Sequence, residues 1–227
     1  MPVQPPNANA NADDDAHSAE ERATEAVTLG LGPRLDSYRT RELRARVESD
    51  PDARVRRAAL GALTRRAPKV SARAAWRRAT SDSDASVRRR AAELAPLLNT
   101  PATRATMTTH LLVLLGDDDG LVAEAAAFAL GEVGSHAGSS ASDALARATL
   151  EHADPLVREA AVAALGAIGD PVSLPAVLSA TRDRPAIRRR AVLALAAFDG
   201  PEVDAAIEAA LTDTDWQVRQ AAEDLTN

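Results

Sequence analysis

The side chains in this sequence best equipped for chemistry are arginines, and they recur. Arg56, Arg88, Arg158, Arg188 and Arg219 each follow a valine or isoleucine by one position, and all but Arg188 follow an aspartate by four (Asp52, Asp84, Asp154 and Asp215); for Arg188 the aspartate, Asp183, lies one earlier. A planar guanidinium that satisfies several acceptors at once suits the junction between two helices. A second row stands one position further on: Arg57, Arg89, Glu124, Glu159, Arg189 and Gln220. Nucleophilic and metal chemistry finds little material. The chain has no cysteine and four scattered histidines, His17, His110, His136 and His152. No cysteine-ligated zinc, thiol nucleophile or disulfide is possible. Asp117-Asp118-Asp119 lacks the ligand spacing of a calcium loop and reads as an exposed helix cap, and Gly131 to Gly138 lacks a phosphate-loop lysine and reads as a linker between repeats.

The charge is unevenly distributed. Residues 1–33 carry a net −5, residues 34–104 a net +10 and residues 105–227 a net −11. The basic segment includes the clusters RAAWRR and SVRRR between Arg73 and Arg90, with Trp76 among them. Such clusters suit a nucleic acid or another polyanion if they fall in register along one groove. The acidic remainder and the scarcity of aromatic platforms argue for a solvated arginine face instead, with Trp76 and Trp216 in helix packing.

The elements that position these residues repeat. The anchors are Val55, Val87, Val122, Val157, Ile187 and Val218, separated by 30–35 residues. That period marks stacked helical pairs. The second helix of a pair is clearest at 154–168, DPLVREAAVAALGAI. Asp154 caps it, Pro155 takes the first turn, and Gly169 ends it. Val157, Ala161, Ala164, Leu165 and Ile168 form one apolar stripe. First helices are shorter, as at Leu174 to Thr181 and Val203 to Leu211. With aromatics at 2%, the core is built of alanine and aliphatic residues, which favours closely approaching helices over sheets. Residues 1–17 are too poor in apolar side chains to order themselves and read as a disordered acidic tail. Ser18 is the expected cap of an extra helix over 18–31, and repeats begin near residue 34. No apolar run suits a membrane span and no secretory signal opens the chain, so the expected compartment is the cytoplasm and the expected state a monomer.

The segment DPLVREAAVAALGAIGD resembles a HEAT repeat of the phycobilisome-lyase subtype. The pattern Asp-Pro-x-Val-Arg-x-x-Ala-x-x-Ala-Leu-Gly is met almost fully at 154–166, less fully at 52–63 and 119–131, and loosely elsewhere. The resemblance covers about residues 34–227. It implies an all-α, right-handed α-solenoid of about six helical hairpins. It also implies that Asp52, Arg56, Asp84, Arg88, Asp154, Arg158, Arg188, Asp215 and Arg219 form a structural ladder between helices, interrupted where Ala123 replaces arginine. Second helices of such arrays line the concave face, so Arg57, Arg89, Arg90, Glu124, Phe128, Glu159, Val162, Arg189 and Leu193 are the expected partner-binding residues. Their end at Arg57, Arg65, Arg66, Arg89 and Arg90 is cationic, and the middle around Phe128 is apolar.

A solenoid hosts unrelated functions. The expected function is a non-catalytic scaffold or adaptor for another protein, without metal or cofactor. Two alternatives stand beside it: nucleic-acid or polyanion binding by residues 34–104, and an enzyme like the phycobilisome lyases or deoxyhypusine hydroxylase. The latter takes its iron ligands from His-Glu dipeptides, and this sequence has none.

Overall fold

In the computed structural model, the described residues are 8–134 and 139–226, with side chains described over 18–134 and 140–226. Among them the chain is entirely helical, with thirteen α-helices and no strand. It divides into two compact units, Met1–Leu98 and Asn99–Asn227.

The first unit holds α1 (Ala8–Leu31), α2 (Ser37–Ser49), α3 (Ala53–Arg66), α4 (Lys69–Ala79) and α5 (Ala85–Leu98). α3 packs between α1 and α5, and α2 and α4 back it on the other side. α1 starts upstream of Ser18, which is therefore not its cap. Ser18 instead accepts a hydrogen bond from Arg22 within the helix. The alanine-rich composition of residues 8–17 favours that extension. The tail expected over residues 1–17 lies outside the described residues for 1–7, and outside the described side chains for 8–17.

The second unit holds α6 (Arg104–Leu115), α7 (Gly120–Val133), α8 (Ser139–Glu151), α9 (Pro155–Ile168), α10 (Leu174–Ala180, entered by a 3-10 turn over Pro171–Ser173), α11 (Pro185–Leu195), α12 (Pro201–Ala210) and α13 (Trp216–Thr226). The second helices α7, α9, α11 and α13 pack in series, each paired with the first helix before it. Six hairpins result among the described residues, from α2/α3 to α12/α13, as the spacing predicts. Part of the Gly131 to Gly138 linker, residues 135–138, lies outside the described residues.

Local chemistry sets the helix ends. Asp52, Asp119 and Asp154 have extended backbones, and each side chain accepts an N–H from the first turn of its own helix. Pro155 occupies the first turn of α9, and Gly169 terminates it at φ 64°, a left-handed conformation that costs glycine nothing. All six anchors are buried to 1% exposure or less. Each buried anchor stabilises its unit by about 2 kcal/mol of apolar transfer. Series packing needs small residues: a Cβ added at Gly131 would meet the Cα of Ala164 at 2.9 Å, and one added at Gly166 would meet the Cβ of Ala194 at 2.7 Å. The outer side chains of α13, Gln220, Glu223 and Asp224, are exposed and polar.

Candidate functional site

Three of the ladder arginines, Arg56, Arg158 and Arg188, each join two loops. Arg56 donates through Nε and Nη2 to both carboxylate oxygens of Asp82, at 2.9 and 2.7 Å, and through Nη1 to the carbonyls of Asp50 and Pro51. Arg158 repeats this with Asp183 and the carbonyls of His152 and Ala153. Arg188 does so with Asp213 and the carbonyl of Asp183. Nη1 of Arg88 and Arg219 likewise holds the loop before its own helix. Each bidentate guanidinium therefore ties its own hairpin loop to the loop of the next hairpin.

The aspartates of the ladder are not those expected from the spacing. Asp52, Asp84, Asp154 and Asp215 accept backbone N–H groups at the start of their own second helices. Asp52 also pairs with Arg54, and those hydrogen bonds hold its carboxyl down at about 2. The arginine partners are Asp82, Asp183 and Asp213, two residues earlier or, for Asp183, one before Arg184. Their side chains point to the preceding hairpin, while the cap position points along its own helix. In the Asp-x-Asp loops the first carboxylate also accepts the N–H of the second, as Asp82 does from Asp84 and Asp213 from Asp215. Hydrogen bonds from Arg158 and Arg188 lower the Asp183 and Asp213 carboxyls from their ordinary range.

Sequence spacing also missed the first rung. Arg22 on α1 meets Asp50 bidentately at 2.9 and 3.0 Å. α1 thus stands in the row of second helices, against α3. The signal was available: Arg22 precedes Arg56 by 34 residues, within the repeat period. The expected interruption at Ala123 is present. Ala123 is fully buried, and the position where the next hairpin would hold its partner aspartate is His152. Nδ1 of His152 accepts the N–H of Asp154 at 3.1 Å, replacing the first carboxylate of the loop.

In the first unit, α1, α3 and α5 enclose a groove of about 560 Å³. Arg57, Arg89 and Arg90 line it, as expected of the binding face, and Arg54, Arg65 and Glu93 join them. Glu93 pairs with Arg89 at 3.1 Å and with Arg90 at 2.8 Å. Arg65 donates Nε to the Gly30 carbonyl at 3.3 Å. Arg66 turns to the same carbonyl and to that of Leu31, away from this lining. Trp76 is buried and donates to the Ala91 carbonyl at 2.7 Å, so it packs and does not present a stacking face.

In the second unit the expected residues separate. Phe128 is 62% exposed, although Val122, Leu130 and Val133 of the same helix are buried. Arg189 is exposed, and Glu124 and Glu159 are half-buried, Glu159 lying 3.5 Å from Arg190. Val162 is fully buried, which corrects its place on the binding face. α9 packs against both α7 and α11, so its buried sector is wider than a single stripe. Leu193 is half-buried against the C-terminal core of Val192, Ala210, Val218, Ala221 and Ala222. Trp216, expected in packing, is 64% exposed at the start of α13. Asp119 caps α7 through the N–H groups of Leu121 and Val122, which fulfils the reading of the acidic triplet.

No group of three or more metal-ligating side chains converges among the described residues, and no described helix is long and apolar enough to cross a membrane.

The HEAT repeats family matches residues 108–191. No curated protein matches the chain. Among solved structures, Escherichia coli YibA superposes with a TM-score of 0.61 at 16% identity, covering 98% of this chain and 75% of that one. The CpcE–CpcF complex of phycocyanin lyase from Nostoc sp. gives 0.57 at 23% identity, covering 84% and 76%. A designed armadillo repeat protein in complex with a (KR)4 peptide gives 0.56 at 16% identity, covering 82% and 98%. Together with the helical pairs and the ladder, these likenesses establish the fold as a HEAT/ARM-type α-solenoid.

Proposed function

We propose that this protein is a non-catalytic scaffold that binds another protein through the exposed face of its second helices. The observation that carries the proposal is Phe128, an aromatic ring left 62% exposed on a helix whose core aliphatics are buried. Burying such a ring at an interface contributes strongly to affinity. Arg56, Arg158 and Arg188 are taken up by the ladder, whereas Arg57 and Arg189 in the next row are exposed to a partner. The designed armadillo neighbour was solved with a bound peptide, which is consistent with such use of the fold.

The test is affinity purification from native cells with the wild-type chain and with Phe128→Asp. Phe128 is already 62% exposed, so helicity should be unchanged. A specific partner is expected on the wild-type chain and is lost from the variant. Equal recovery of that partner by both chains would overturn the assignment of this face.

A further inference from the structure

The groove across α1, α3 and α5 carries more positive charge than its own carboxylate can neutralise. Glu93 serves Arg89 and Arg90 together, and Asp52 serves Arg54. Arg57 is exposed and meets no carboxylate among the described residues. Arg65 meets none there either; its described hydrogen bond is to the Gly30 carbonyl. Burial, followed by the charges of Arg90 and Arg66, pulls the Arg65 guanidinium below its ordinary value.

Arg65 nevertheless lies close against two helices. Gly61 lies inside α3, where glycine weakens a helix relative to alanine. A Cβ there would stand 3.4 Å from both Nη1 and Nη2 of Arg65 and 3.6 Å from Nη2 of Arg90. A Cβ on Gly30 would approach Nη2 of Arg65 at 2.8 Å. The Gly30 carbonyl therefore holds one cationic fork that has no internal counter-charge, where α1 approaches α3 closely enough that a Cβ on Gly30 would also meet the Cα of Ala62 at 3.0 Å. A fork held in this way is preorganised to take a carboxylate through two parallel hydrogen bonds.

We propose that this groove binds an acidic peptide segment of the partner, with carboxylates on Arg57, Arg65 and Arg90 and an aliphatic side chain on the floor made by Ala23, Val27 and Ala58. The proposal rests on the scaffold reading above and names the chemistry of what is bound. A peptide fits better than a nucleic acid on two counts: the floor is aliphatic, and no aromatic side chain lines the groove to stack a base.

The experiment titrates the full chain, by fluorescence anisotropy at low and high salt, with a labelled peptide of Glu-Glu-Leu triplets. Controls are its Gln-for-Glu counterpart and a single-stranded oligonucleotide of equal charge. Salt-sensitive binding of the acidic peptide is expected, with the neutral peptide and the oligonucleotide much weaker. Arg57→Glu and Arg65→Lys should each weaken the peptide by about tenfold or more, the lysine because a point charge cannot replace the fork. Arg57 and Arg65 are both exposed, so unchanged melting temperatures of the two variants separate lost binding from lost folding. Absence of peptide binding at low salt, unchanged affinity in the two arginine variants, or tighter binding of the oligonucleotide would overturn the proposal. If the peptide fails here while Phe128→Asp still abolishes partner capture, the groove assignment falls and the scaffold reading stands.

Discussion

Arg56 and Asp82 form a bidentate pair whose side chains are only 12% and 5% exposed, although they belong to successive hairpins and lie 26 residues apart. Asp82 further accepts the N–H of Asp84, and Arg56 closes its own loop. Removing the arginine leaves a nearly buried carboxylate without its cation, a loss typically of about 3–5 kcal/mol. Arg56→Ala should therefore lower the stability of the first unit by about 3 kcal/mol in urea unfolding. Arg89→Ala, which loses only an exposed pair with Glu93, should change it by less than about 1 kcal/mol. Equal effects of the two would show that the ladder is dispensable to stability.

The same ladder sets the response to acid. The Asp183 and Asp213 carboxyls are held below their ordinary range by Arg158 and Arg188 in the folded chain. Their pairing therefore stabilises the fold fully above the unfolded carboxyl value of about 4, and is lost as the pH falls through the lower folded values. Urea unfolding at stepped pH should show stability declining below about pH 4. Asp213→Asn should be less stable at neutral pH and should show a shallower decline in acid. An unchanged slope in the variant would mean that other carboxyls govern acid unfolding.

Helix approach gives a prediction opposed to helix propensity. Gly166 sits inside α9 with its Cα facing Ala194 of α11, where an added Cβ would meet Cβ and Cα at 2.7 and 2.8 Å. Gly166→Ala gains about 1 kcal/mol of intrinsic helix propensity. Separating two packed backbones costs about 1–3 kcal/mol, so the variant should melt lower than the parent. Gly116→Ala, whose added Cβ would stand 3.6 Å from the Val113 carbonyl, should be close to neutral. A rise in melting temperature for Gly166→Ala would show that α9 and α11 can part without loss.

What the sequence reveals and conceals follows from how far each feature reaches. The anchors, the caps Asp119 and Asp154, and the Pro155–Gly169 limits of α9 depend on neighbours within one helix, so spacing and residue type determine them. The partner of Arg56 does not. Asp52 and Asp82 are both aspartates beside a hairpin loop, and a repeat template registers the arginine to the nearer one. Only geometry shows that Asp52 turns along its own helix while Asp82 faces back. Val162 and Phe128 were likewise indistinguishable, since both lie off the apolar stripe. The packing of α9 between two neighbours covers Val162, and the environment of α7 leaves Phe128 open. The groove arginines were legible as a cationic cluster, but the hold of the Gly30 carbonyl on Arg65 was not, because the two lie 35 residues apart and meet only in three dimensions.

The gap in the ladder permits a direct test of its logic. Ala123 and His152 occupy the two positions where an arginine and an aspartate would form a rung, and both have departed from the pattern together. An arginine alone at 123 would enter a fully buried site with no carboxylate opposite, so Ala123→Arg should destabilise the second unit. An aspartate alone at 152 could still accept the Asp154 N–H, as Asp82 and Asp213 do in their loops, but would lack its cation. The double variant Ala123→Arg/His152→Asp should recover about 1–3 kcal/mol relative to the sum of the single changes. Urea unfolding of the four proteins in a double-mutant cycle measures that coupling. A coupling near zero would mean that the rung depends on more of the loop than its two charged ends.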